Sequence, residues 1–85
     1  MYRVLFSKEA QRALLNLPRP LAVKIREKLI LVAKDPHAHH NNVTKLQNRP
    51  GYRRRVGDWR VIYEIQNDEL VILVVKIAPR GEVYR

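Results

Sequence analysis

The sequence predicts a small α+β domain: an N-terminal strand, an α-helical hairpin, and a mostly antiparallel C-terminal β-sheet. Three observations predict it. A short alternating segment opens the chain at residues 2–6, apolar residues recur at helical spacing through residues 7–34, and β-branched and aromatic residues dominate residues 43–77 between short turn signals. With 85 residues the chain has room for one domain, spanning residues 1–85, and 46% hydrophobic residues suffice for a core. A domain of this size buries only about 60–65% of the surface its unfolded chain exposes. The core is therefore thin, and a binding partner can supply part of its stability.

Residues 2–6 form the first strand, with period-two alternation. Ser7 then caps a helix, with Glu9 well placed in its first turn, and that helix runs to about Leu17. Ala10, Ala13, Leu14 and Leu17 make its apolar stripe. The run Leu17-Pro18-Arg19-Pro20 ends it, since proline suits a first turn and not a helix interior. A second helix follows over residues 21–34. Leu21, Ile25, Leu29 and Val32 form its stripe, widened by Ala22, Val23, Ile30 and Ala33. Asp35-Pro36 ends it, and residues 37–42 are a polar loop. Strands are predicted at 43–47, 52–56, 59–66 and 70–77, with turns at Gly57-Asp58 and Asn67-Asp68, an antiparallel meander. Helices must cover one sheet face, which leaves the other free to carry function.

The formal net charge is +9, from 17 Lys and Arg against 8 Asp and Glu, the electrostatic footprint of a nucleic-acid binder. There is no cysteine, which excludes disulfides and thiolate metal sites. The opening MYRVLFSKEA has no long apolar run of the signal-peptide kind, and no apolar run approaches the length of a membrane span. A cytoplasmic location without membrane association is the expectation.

Positive charge concentrates in residues 45–60, where Lys45, Arg49, Arg53, Arg54, Arg55 and Arg60 face a single acid, Asp58. Strand alternation puts Arg53 and Arg55 on one face and Arg54 on the other. On the next strand Trp59, Val61 and Tyr63 share a face, and Arg60 and Ile62 share the opposite one. Paired strands can thus gather Arg53, Arg55 and Arg60 into one cationic patch. Like charges across a sheet are destabilising, so such a patch points to an anion. The planar guanidinium fork fits phosphate oxygens in pairs. Lys45 and Arg49 extend the basic surface for RNA, and Tyr52 and Tyr84 can stack on an unpaired base. Arg54, facing the other way, reads as edge charge that blocks aggregation.

The run KLQNRPGYRRRVGDWRVIYEI, followed by Arg80-Gly81-Glu82-Val83-Tyr84, resembles the RelE/ParE superfamily of type II toxins. The shared pieces are a lysine–leucine opening, a tyrosine–arginine strand, a Val-Gly-Asp turn, an aromatic-Arg-Val-Ile-Tyr strand and a terminal Arg-x-Glu-Val-Tyr, and they span nearly the whole chain with its helical hairpin. The RelE branch implies a ribosome-dependent endoribonuclease that cuts mRNA without metal or cofactor, by attack of the ribose 2′-hydroxyl on its own phosphate. It implies catalytic roles for Arg53, Arg55, Arg60, Arg80 and Tyr84. Members of this branch often carry lysine where Arg53 and Arg55 stand. Arginine keeps its proton in proteins, so the general base falls to Tyr84 first and Glu82 second. The resemblance also implies an antitoxin partner, with DNA met only through the antitoxin complex. Its ParE branch implies instead a DNA gyrase inhibitor with no nuclease site. A third class, a binding module acting mainly in a repressor complex, predicts no toxicity without a partner.

His37, His39 and His40 lie in a loop with no cysteine or second acid near, and read as solvated residues more than as metal ligands. Trp59 and Tyr63 read as core. Lys24, Arg26, Lys28 and Lys34 read as the solvated face of a core-packed helix.

Overall fold

The computed structural model describes residues 1–79. Arg80, Glu82 and Tyr84 lie outside the described residues. The elements are β1 (Arg3–Phe6), α1 (Lys8–Leu15), α2 (Arg19–Lys34), β2 (Val43–Lys45), β3 (Tyr52–Val56), β4 (Trp59–Gln66) and β5 (Val71–Pro79).

Ser7 is the N-cap of α1. Its Oγ accepts from the Ala10 amide at 3.0 Å and donates to the Val75 carbonyl at 2.8 Å, so one hydroxyl starts the helix and ties it to β5. The helix stops at Leu15, two residues short of the predicted Leu17. Residue 17 precedes Pro18, whose ring disfavours helical backbone there. The second helix starts two residues earlier than predicted, at Arg19, because Pro20 is acceptable in a first turn.

The five strands form one sheet in the order β1-β5-β4-β3-β2. Neighbours are antiparallel except β1 and β5, which run parallel from Arg3↔Val71 to Phe6↔Val74. The last strand therefore inserts between the first and the fourth. Gly57, with φ of 60°, opens the two-residue β3–β4 turn, as a II′ hairpin requires. Between β4 and β5 the register shifts: Ile62 faces Lys76 while Tyr63 faces Val74, leaving Val75 as an extra residue.

Both helices lie on one face of the sheet. Ala10 and Leu14 of α1 and Ile25, Leu29 and Val32 of α2 are buried in one cluster. Val61, Tyr63, Val74 and Ile77 meet them from the sheet. The stripe of α2 is narrower than predicted, for Val23 and Ile30 are 44% and 41% exposed. Leu46, Ile62 and Ala78, with Val75 against them, form a second, smaller apolar cluster. Among the described residues no helix is long and apolar enough to cross a membrane.

Candidate nucleic-acid interface

The cationic patch is built by register. In the β3–β4 hairpin Arg55 stands directly opposite Arg60, and Arg53 opposite Ile62. Ladder partners share a face, so Arg53, Arg55, Arg60 and Ile62 lie together, and Ala78 joins them as the β5 partner of Arg60. The cluster of Ile62, Ala78 and Leu46 is the apolar floor of this face. Arg55 is exposed and Arg53 and Arg60 are half-buried. Arg55 Nη2 donates to Asn42 Oδ1 at 3.1 Å, and Arg60 Nη1 donates to the Trp59 carbonyl at 3.2 Å. These neutral partners orient the guanidinium groups without neutralising them. No carboxylate among the described residues forms an ion pair with Arg55 or Arg60.

The remaining expected residues divide. Arg49 lies in the exposed bend between β2 and β3. Lys45 is exposed on the edge strand β2; as the ladder partner of Tyr52 it has helix-side parity, and it reaches Arg53 only around the sheet edge, where it lines a depression with Thr44, Leu46, Gln47 and Arg53. Tyr52 is a correction. Its position in β3 gives it the parity of Arg54 and Val56, so it points to the helix side, away from the arginines. There it stacks on Tyr63, its ladder partner, with ring centroids 5.6 Å apart and planes at 21°. It cannot offer its ring to a base lying on the arginine face. The positions expected for Arg80 and Tyr84 are outside the described residues.

Arg54 is a second correction. It faces the helix side as alternation requires, yet it is no exposed edge charge: only 6% of it is exposed, the one charged residue among the buried ones described. Its Nη1 donates to the Asn41 carbonyl at 2.8 Å, while Nε has no hydrogen-bond partner. Burial lowers its pKa from the usual arginine value, against the opposing pull of Tyr63. Burial also pushes the Tyr63 phenol up to about 12, with Arg54 pulling the other way. Tyr63 is thus a neutral core phenol and not a base. Strand parity gives the side of the sheet on which Arg54 lies, with Tyr52 and Val56, but not its depth.

His37 Nε2 lies 2.8 Å from Asn67 Oδ1, and His40 Nε2 2.7 Å from the Asp35 carbonyl, so both pin the loop after α2. Trp59 is half-buried and lines a groove of about 680 Å³ with Ala13 of α1, Leu17 of the turn after it and Pro79 of β5.

The family model described as the ParE toxin of type II toxin–antitoxin systems, parDE, matches residues 4–84. The chain belongs to this toxin family. No curated protein sequence matches it. Among solved structures, the toxin of the intact E. coli RelBE toxin–antitoxin complex superposes with a TM-score of 0.81 at 20% identity, over 96% of this chain and 100% of that one. The isolated E. coli RelE toxin gives 0.80 at 24% identity, over 99% and 92%. The archaeal RelE–RelB complex from Pyrococcus horikoshii gives 0.79 at 32% identity, over 96% and 98%. The E. coli likenesses concern the fold. With the family match and the archaeal relative, they make the chain a type II toxin of the RelE/ParE superfamily, as its motifs imply.

Proposed function

We propose that this toxin is a metal-independent endoribonuclease that cleaves mRNA on the ribosome and so stops translation. The observation that supports this most is the directly opposed pair Arg55 and Arg60, beside Arg53, on a sheet face where no described carboxylate neutralises the pair. In the reaction the ribose 2′-oxygen bonds to the adjacent phosphorus and the bond to the 5′-oxygen breaks. The products are a 2′,3′-cyclic phosphate and a 5′-hydroxyl. One proton leaves the 2′-oxygen and one is delivered to the 5′-oxygen. The pentavalent phosphorus carries extra negative charge, and fixed guanidinium groups stabilise it without reorganising. Arg53, Arg55, Arg60 and Arg80 fill that role, with Arg60 nearest the reacting phosphate. None of them is a base. Tyr84 moves a proton or stacks on the nucleobase, and Lys45 and Arg49 hold the strand as it leaves the face.

The E. coli and P. horikoshii complexes pair a RelE toxin with its antitoxin. In the same way this chain, at +9, pairs with a cognate antitoxin whose acidic or amphipathic segment covers the basic surface. Complementary charge speeds that association. DNA is reached only through the antitoxin complex, and the toxin works in the cytoplasm.

A cleavage assay on ribosomes programmed with a defined mRNA tests the proposal. Arg60→Ala combined with Arg80→Ala is expected to abolish cleavage while the unfolding curve stays that of a folded domain. Full cleavage by that variant would refute the mechanism. The family match to ParE favours a second reading, a gyrase inhibitor that needs no nuclease face. Inhibition of DNA supercoiling with mRNA left intact selects it.

A further inference from the structure

We propose that the cleft between α2, the loop after it and β3 is a second phosphate-binding site, on the helix side of the sheet and meeting the arginine face at Arg55. The cleft holds about 460 Å³ and is lined by Lys24 and Lys28 of α2, His39 and His40 of the loop, and Arg54 and Arg55 of β3, with no acidic side chain in its wall. Three features of it are unfavourable in an empty cleft. Lys24 and Lys28 stand one helical turn apart, a like-charge spacing that weakens a helix. Arg54 is 94% buried with a carbonyl as its hydrogen-bond acceptor, its Nε unpaired, and no carboxylate partner among the described residues. Arg55 adds a further cation a residue away. One bound phosphate relieves all three, supplying the missing negative charge to lysines from one side and guanidinium groups from the other. The phosphate comes either from the backbone of an RNA strand that has crossed the arginine face or from the free ion. The first source rests on the proposed function; the site itself does not.

The test is an amide NMR titration of the full chain with sodium phosphate, with a ten-nucleotide RNA, and with sodium chloride at matched ionic strength. Asn42 and Gly57 report on the cleft, and Ile62 and Ala78 on the arginine face. Saturable shifts at Asn42 and Gly57 with phosphate or RNA, absent with chloride, are expected. In the Lys24→Gln, Lys28→Gln variant they should need at least tenfold more ligand. The salt dependence of RNA binding should fall by a slope of about 0.7, the loss of one single-strand phosphate contact. Both lysines are solvent-facing in part, so the variant keeps its core, and unchanged Ile62 and Ala78 signals verify this. Shifts with RNA alone assign the site to a backbone phosphodiester, and shifts with phosphate alone to the free ion. No saturable shift at Asn42 and Gly57 with either probe, equal shifts with chloride, or shifts that survive in the variant overturn the site. RNA that moves the cleft amides and leaves Ile62 and Ala78 still retains the site and refutes RNA binding by the arginine face.

Discussion

Replacing Arg55 by glutamine should stabilise this protein while damaging its function. Arg55 and Arg60 are direct ladder partners, and no described carboxylate offsets either. Like charges placed so are unfavourable by about 0.2–1 kcal/mol. Glutamine keeps most of the length and can still donate toward Asn42 Oδ1, so the change removes chiefly the repulsion. Taking about 0.5 kcal/mol, and about 4–8 °C per kcal/mol for a domain of this size, Tm should rise by about 2–4 °C. Because the pair is partly solvated, the rise should be largest near 10 mM salt, where the screening length is about 30 Å, and should largely vanish at 1 M, where it is about 3 Å. Thermal unfolding at both salt concentrations, paired with the ribosomal cleavage assay, reads both effects. A lower Tm, or a rise indifferent to salt, would refute the idea that this face holds uncompensated charge. Cleavage undiminished in a stabilised variant would separate the charge from the chemistry.

Ser7→Ala removes both the cap to Ala10 and the link to Val75, and should lower stability by about 1–2 kcal/mol in urea unfolding, with the m-value unchanged. Gly51→Ala should destabilise by more than about 1 kcal/mol. Gly51 sits at φ of 110°, and an added Cβ would lie 2.8 Å from the Tyr63 carbonyl oxygen, so backbone must move; an unchanged urea midpoint would contradict this. The Tyr63 phenol is raised from 10.0 to about 12 in the fold, so its contribution to stability is complete below pH 10 and is lost as pH climbs through 12. Urea midpoints measured from pH 9 upward should fall in the wild type and fall less steeply in Tyr63→Phe.

Much of the site was legible because strand parity is local. The alternation of Tyr52-Arg53-Arg54-Arg55-Val56 is enough to separate Arg53 and Arg55 from Arg54, and Gly57-Asp58 marks the hairpin that brings Arg60 opposite. The same parity already contained the exclusion of Tyr52 from the arginine face. An aromatic beside arginines suggests stacking on a base, whereas the ring of Tyr63, its ladder partner across the hairpin, takes that stacking position instead. The burial of Arg54 was not legible. Depth depends on the loop at residues 37–42 folding over β3, with Asn41 supplying a carbonyl, and no local pattern encodes that.

The elements themselves, their caps and proline stops, the one-sided strands and the cluster of positive charge are properties of the sequence alone, because they arise from interactions a few residues apart. Tertiary structure decided the rest. The parallel pairing of β1 with β5 joins residues about seventy positions apart, and the shifted register at Ile62 and Tyr63 reaims β5 against β4. Those two choices put the last strand in the interior of the sheet and place Ala78 under Arg60, while the loop after α2 closes over Arg54 beside the basic cleft. Long-range pairing is selected by which apolar faces can be buried together, and that is a property of the assembled layers rather than of any segment.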